Sequence, residues 1–232
     1  MVSINDVRET VLAICNKNNY GYISPDDFNL YAKQAQLDIF NDYMSKYNYY
    51  MNMQNQHQSG SDLANLAQAA KEAIEIFIDA EILTFISTTP PFSVFSLPSD
   101  WYSINTVVYN ESVTVEKISN IDIFRLTGSN LTRPSELFPN YVIGQGGTLA
   151  VIPSSIISDI SVIYVRYPVD PIWSYVTLTN GEPMYNAGSS VDFEVAEDEE
   201  SRLVDKILEK AGLSIREPEV YRNAQANDNQ QQ

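Results

Sequence analysis

An α+β fold is predicted for this chain: a long N-terminal helical hairpin, a central antiparallel β-sandwich or barrel, and a C-terminal acidic helix with an extended tail. Three observations carry the prediction. Apolar residues recur at helical spacing through residues 1–86. The pattern changes at Thr88-Thr89-Pro90-Pro91, and residues 87–190 hold short runs of β-branched and aromatic residues punctuated by Gly, Pro and Asn. Residues 191–232 begin with an acid-led amphipathic segment and end in a polar, glutamine-rich stretch. The three regions read as one composite structural unit.

In the first region Ser3 is positioned to cap a helix carrying Ile4, Val7, Val11 and Ile14. The next helix has a sharper start. Ser24 can cap, Pro25 takes the first helical position, and Asp26 and Asp27 sit where the helix dipole favours negative charge. Ile23 and Phe28 have the spacing of a hydrophobic staple. Phe28, Ala32, Ala35, Ile39 and Tyr43 then trace one stripe, and Phe40, Met44, Tyr47 and Met51 a second. Two stripes predict a helix that packs on more than its hairpin partner. After a polar break at Gln54–Gly60, Ser61 opens a third helix with Leu63, Leu66, Ala67, Ala70, Ile74 and Phe77 on one side.

In the second region, strands are predicted at 102–109 and 112–115 with Asn110-Glu111 as their turn. A short helix is expected over 119–126, with Ser119 and Asp122 at capping-box spacing. Strands follow at 141–143, 148–152 and 161–167. In the third region Glu197-Asp198-Glu199-Glu200 crowd the start of a helix bearing Leu203, Val204, Ile207 and Leu208, and Gly212 is the expected residue just past its end.

Composition narrows the function. The chain has 232 residues, with 30 acidic against 14 basic ones, for a net charge of −16. Proteins that grip nucleic acid need clustered Lys and Arg to displace counterions from phosphates, and the basic residues here are scattered. Sequence-specific DNA or RNA binding is therefore not expected. The single cysteine, Cys15, lies among Val11, Leu12 and Ile14 and reads as a small buried residue. No signal-peptide pattern opens the sequence and no apolar run reaches the length of a membrane span, so a soluble protein made in a cytoplasm is expected. Tyr is abundant, with 15 against 9 Phe. That excess fits surfaces buried on association, and equally the ordinary use of Tyr in cores and on surfaces.

No motif carries catalytic or metal chemistry. Asn16 to Phe28 places Gly21, Ile23 and Asp27 as a calcium-binding loop would, but the first and third ligand positions are amides, the fifth is Tyr20, and Asp27 replaces the bidentate Glu. So few carboxylates do not compensate the dehydration of Ca²⁺. Gly144-Gln145-Gly146-Gly147 lacks the Lys-Ser/Thr of a phosphate loop and reads as a hairpin turn. The one histidine, His57, sits in a polar loop without the supporting acid of a triad. No cofactor, metal or catalytic residue is assigned, and the chain is not expected to be an enzyme.

Four segments together resemble the neck, or head-to-tail connector, proteins of tailed bacteriophages, especially short-tailed and crAss-like phages. They are Gly21-Tyr22-Ile23-Ser24-Pro25-Asp26-Asp27-Phe28-Asn29, opening the helix that carries Ala35-Gln36; Leu97-Pro98-Ser99-Asp100-Trp101-Tyr102; Ile163-Tyr164-Val165-Arg166-Tyr167-Pro168-Val169-Asp170-Pro171; and Asp192-Phe193-Glu194-Val195, followed by the acidic helix, Ala211-Gly212-Leu213 and Pro218-Glu219-Val220. The resemblance implies a structural virion protein, a homo-oligomeric ring of twelve matching a portal. It would be assembled in the host bacterial cytoplasm, contact the portal protein and adjacent neck or tail proteins, and let DNA pass. Interface candidates are Tyr31, Tyr43, Tyr47 and Tyr50 on the long helix and Pro218, Val220 and Tyr221 in the tail. The competing readings are another virion part (a head accessory, tail or fibre-attachment subunit) and a hydrolase of carbohydrate built on two acids meeting in a cleft.

Overall fold

The computed structural model describes residues 1–17, 23–55, 61–129, 131–179 and 181–215. In chain order, α1 (Ile4–Lys17), α2 (Pro25–Asn55) and α3 (Ser61–Glu75) precede β1 (Ile78–Ile82), β2 (Thr84–Thr89), β3 (Phe92–Ser96), β4 (Trp101–Tyr109) and β5 (Val113–Lys117). A short α4 (Ile123–Gly128) leads to β6 (Asn140–Ile143), β7 (Thr148–Ile152), β8 (Ile160–Arg166), β9 (Tyr175–Thr177) and β10 (Pro183–Tyr185). The last helix is α5 (Glu200–Ile215). The fold is mixed α+β, a curled eight-stranded sheet with helices toward both ends of the chain. Two compact units divide it: Met1–Ile76 with Pro168–Gln232, and Phe77–Tyr167.

The first unit is helical, and its start signals act as their residue types dictate. Ser24 Oγ accepts the Asp27 amide at 3.2 Å while its hydroxyl donates to the Asp27 carboxylate at 2.6 Å, capping α2. The staple residues Ile23 and Phe28 are both buried in the core below that cap. Ser3 Oγ accepts the Asp6 amide, and Asp192 accepts the Ile4 amide at 2.9 Å, so the start of α1 is capped twice. The stripe Phe28, Ala32, Ala35 and Ile39 of α2 packs with Val7 and Val11 of α1 and Leu203 and Ile207 of α5. The second stripe begins with buried Phe40 and Met44, and α2 packs against both α3 and α5. Small Ala32 and Ala35 admit close helix approach.

Trp173, 2% exposed, is the largest side chain fully inside this core. It stacks with Tyr175 and Tyr185 of the β9–β10 ribbon and lies under the Arg8 guanidinium, 3.7 Å from the ring centre.

The second unit is the sheet, ordered β1-β8-β4-β5-β6-β7-β3-β2. Its outermost strands β1 and β2 are separated in sequence by Leu83 alone. One residue cannot span an open sheet of eight strands, so the sheet curls to bring the joined ends of β1 and β2 together. Leu83 N donates to Ile160 O at 2.8 Å, tying that link to the start of β8. Phe95, Val107, Val115, Leu149, Val151 and Val162 fill the interior. Asn110 and Glu111, at φ 48° and 57°, turn β4 into β5, and Gly146 and Gly147, both at φ 72°, turn β6 into β7.

Several expectations are corrected. The helical reading of 1–86 ends at Glu75: β1 and β2 precede Pro90-Pro91, because Ile78–Ile82 pairs antiparallel with β8, far along the chain (Ile78 with Val165, Ile82 with Ser161). The sheet is not wholly antiparallel, since β5 and β6 run parallel over a short register. The helix expected over 119–126 spans Ile123–Gly128, and Asp122 makes no side-chain cap; Ser119 instead accepts the Ile121 amide within the preceding turn. Gly212 does not end the last helix, which continues to Ile215. Gly212 is buried there. Residues 168–190, read as part of the β-rich region, pack with the helices through Trp173. The turn of the expected hairpin (56–60) and the expected tail (216–232) lie outside the described residues.

Candidate interaction surface

Extended segments are clipped onto α2 by two amide side chains. Gln36, 1% exposed, donates to Val169 O at 2.7 Å and accepts the Glu194 amide at 2.9 Å. Asn29 does the same for one residue, donating to Trp173 O and accepting the Trp173 amide at 2.8 Å. An amide offers a donor and an acceptor at once, which is what a strand-like backbone needs where no second strand satisfies it. The Ala35-Gln36, Val169-Asp170-Pro171 and Asp192–Val195 segments thus meet at one buried side chain.

Charge joins α2 to α5. Asp38 and Asp42 lie one helical turn apart on α2, and Arg202, Lys206 and Lys210 recur every four residues on α5. Arg202, 4% exposed, pairs with Asp42 and with Glu199. Lys206 reaches Asp42 at 3.5 Å and Lys210 reaches Asp38 at 2.5 Å. The i, i+4 recurrence was visible in the sequence, but nothing there told a clamp from a solvated face.

The tyrosines named as interface candidates divide. Tyr31 and Tyr43 are half-buried and pack on the first unit's own core. Burial, with Glu199 accepting its hydroxyl, raises the Tyr43 pKa well above the ordinary phenol value. Tyr47 and Tyr50 lie half-buried in the distal part of α2, with Tyr49, 58% exposed, set edge-on to Tyr50 at 5.4 Å. Pro218, Val220 and Tyr221 fall outside the described residues.

Of the motifs weighed for chemistry, Asp27 is committed to the α2 cap. Residues 18–22 of the calcium-like loop and His57 lie outside the described residues. Among the described residues no three His, Cys, Asp or Glu side chains are grouped as metal ligands. No helix among them is long and apolar enough to cross a membrane. Cys15 is buried, which raises its thiol pKa.

Among the described residues of the sheet unit, Tyr164 is a perturbed group that faces carboxylates. It is 3% exposed and donates to Asp100 Oδ1 at 3.3 Å, with Asp79 and Glu81 nearby. Burial first, and then the Asp100 charge, push its pKa up to about 12. The hydroxyl therefore stays protonated as a donor at neutral pH.

The excursion between β5 and β6 carries several of the most exposed apolar side chains among the described residues. Ile121, Leu131, Leu137 and Phe138 stand out from it, and Leu131 and Phe138 wall a cavity of 340 Å³ with Arg133 at its rim. A second cavity of 460 Å³ shares Ile118, Leu126 and Thr132 with the first and is lined by Lys117 and Arg125. Every residue of β2 is exposed as well, Phe85 and Ile86 among them. Comparison of the chain with protein-family models and with curated proteins gives no match.

Proposed function

We propose that this chain is a structural virion protein, one subunit of an oligomeric ring in the portal–tail neck of a tailed bacteriophage. The reading starts from the resemblance of its four segments to connector proteins of short-tailed and crAss-like phages. The observation that supports it best is the junction at Gln36: segments drawn from three of the four stretches that carry the resemblance meet at that one amide. Residues that hold a fold together are ones a family is expected to share.

Two further features fit. Exposed apolar side chains such as Ile121, Leu131, Leu137 and Phe138 are of the kind that chains bury on association. An excess of acid, 30 against 14, would keep a channel wall from holding DNA, since like charge repels and leaves no deep binding site during transit. The ring would be twelvefold, with the portal protein on one side and further neck or tail proteins on the other.

Multi-angle light scattering of the purified chain, alone and mixed with its cognate portal protein, tests the reading. Ring-sized particles, formed alone or only on the portal, are expected. A compact monomer that ignores the portal contradicts the ring and favours another virion part, such as a head accessory or fibre-attachment subunit.

A further inference from the structure

We propose that the groove walled by Leu131 and Phe138 receives an acidic surface of a second copy of this chain, centred on Glu197 and Asp198, so that copies join head to tail. This rests on the ring reading and supplies its contact. Ile121, Leu131, Leu137 and Phe138 are 83%, 94%, 73% and 77% exposed, and all belong to the excursion between β5 and β6. Four large apolar side chains so exposed within one excursion offer surface that a partner can cover. Leu131 and Phe138 are also among the residues that line an open cavity of 340 Å³, which gives a partner somewhere to insert.

Charge selects the occupant. Lys117, Arg125 and Arg133 line the two adjoining cavities against Glu116 and Asp122, three cations to two acids in a chain whose net charge is −16. Arg125 makes a loose contact with Asp122 at 3.5 Å, with its side chain 84% exposed. Arg133, which lines the first cavity, donates twice to Thr127 O at 3.3 Å. With one more cation than acid in its lining, this groove repels an acidic second copy less than the rest of so acidic a chain does. That copy offers a matching surface just ahead of α5. The Glu197 side chain is 86% exposed and forms a loose ion pair with the Met1 ammonium at 3.9 Å, Asp198 is exposed, and Met1 is itself 72% exposed. Acids beside an apolar side chain complement cations beside Leu131 and Phe138. Because the two surfaces differ, the contact is heterologous and can repeat around a ring.

Sedimentation velocity over a concentration series, run on the full chain alone and with the portal protein, tests the contact. Three variants are needed: Arg125→Glu with Arg133→Glu, Glu197→Lys with Asp198→Lys, and all four changes together. All four side chains are exposed, and unchanged circular dichroism checks that the fold is kept. Each pair is expected to weaken self-association about ten-fold or more, and the fourfold variant to recover to within about three-fold of the parent. If the parent associates and neither pair affects it, this contact is overturned while the ring survives. Failure of the fourfold variant to recover equally overturns the assigned pairing. A parent that stays monomeric alone and on the portal contradicts the ring reading itself.

Discussion

Gln36 is the residue on which the first unit's extended segments depend. Truncating it leaves Val169 O and the Glu194 amide without their partner in a buried place. Gln36→Ala is therefore expected to cost about 2–4 kcal/mol in chemical denaturation, the upper part of the range for a single lost hydrogen bond because two groups are orphaned. Gln36→Leu, which restores volume and not the polar pairing, is expected to recover little of it. Tyr164 makes a pH prediction. Its folded pKa, about 12, lies above the ordinary phenol value near 10, so the folded state holds the proton more tightly. The resulting stability is fully present below about pH 10 and is lost as pH rises through about 12, a change on the order of 2–3 kcal/mol. Tyr164→Phe removes that part of the alkaline loss. Absorbance titration of the phenolates should show one fewer late-titrating tyrosine in this variant.

At the scale of elements, the α2–α5 clamp and the exposed ion pairs should behave differently. Arg202 is nearly enclosed beside Asp42 and Glu199, whereas the Lys33–Asp170 pair is about half exposed on both sides. Arg202→Ala is expected to cost about 2–4 kcal/mol with little dependence on salt, because it leaves partly buried carboxylates without their closest cation. Lys33→Ala should cost about 1 kcal/mol or less and lose even that at high salt. Thermal denaturation at two ionic strengths separates them. Elements set by local chemistry were legible in the sequence: the Ser24-Pro25 start of α2, the Asn110-Glu111 turn, and β4, β7 and β8 to within a residue or two at either end. Elements set by distant partners were not. Ile78–Ile82 continues the apolar rhythm of α3 and becomes a strand only because β8 pairs with it. Trp173 lies in a stretch with no periodicity, and its place in the helical core depends on Asn29 and Asn5 accepting its donors. The β5–β6 groove was equally hidden, since an isolated Leu or Phe in a loop reads the same whether buried or exposed.

For the whole molecule, a net charge of −16 and the ring reading make one joint demand: DNA must pass without being held. In an electrophoretic mobility assay the chain is expected to leave duplex DNA unretarded even at low salt, where cationic contacts would be strongest. Retardation that weakens steeply with salt would reveal a basic surface and remove the acidic-channel argument. The central claim is that this chain closes into a ring on a portal. Negative-stain class averages of the purified chain bound to its cognate portal test it most directly. A ring seated on the portal gives end views with an annulus of twelvefold symmetry and an open centre, coaxial with the portal. Portal particles that carry no added annulus, with the chain remaining monomeric beside them, would contradict it.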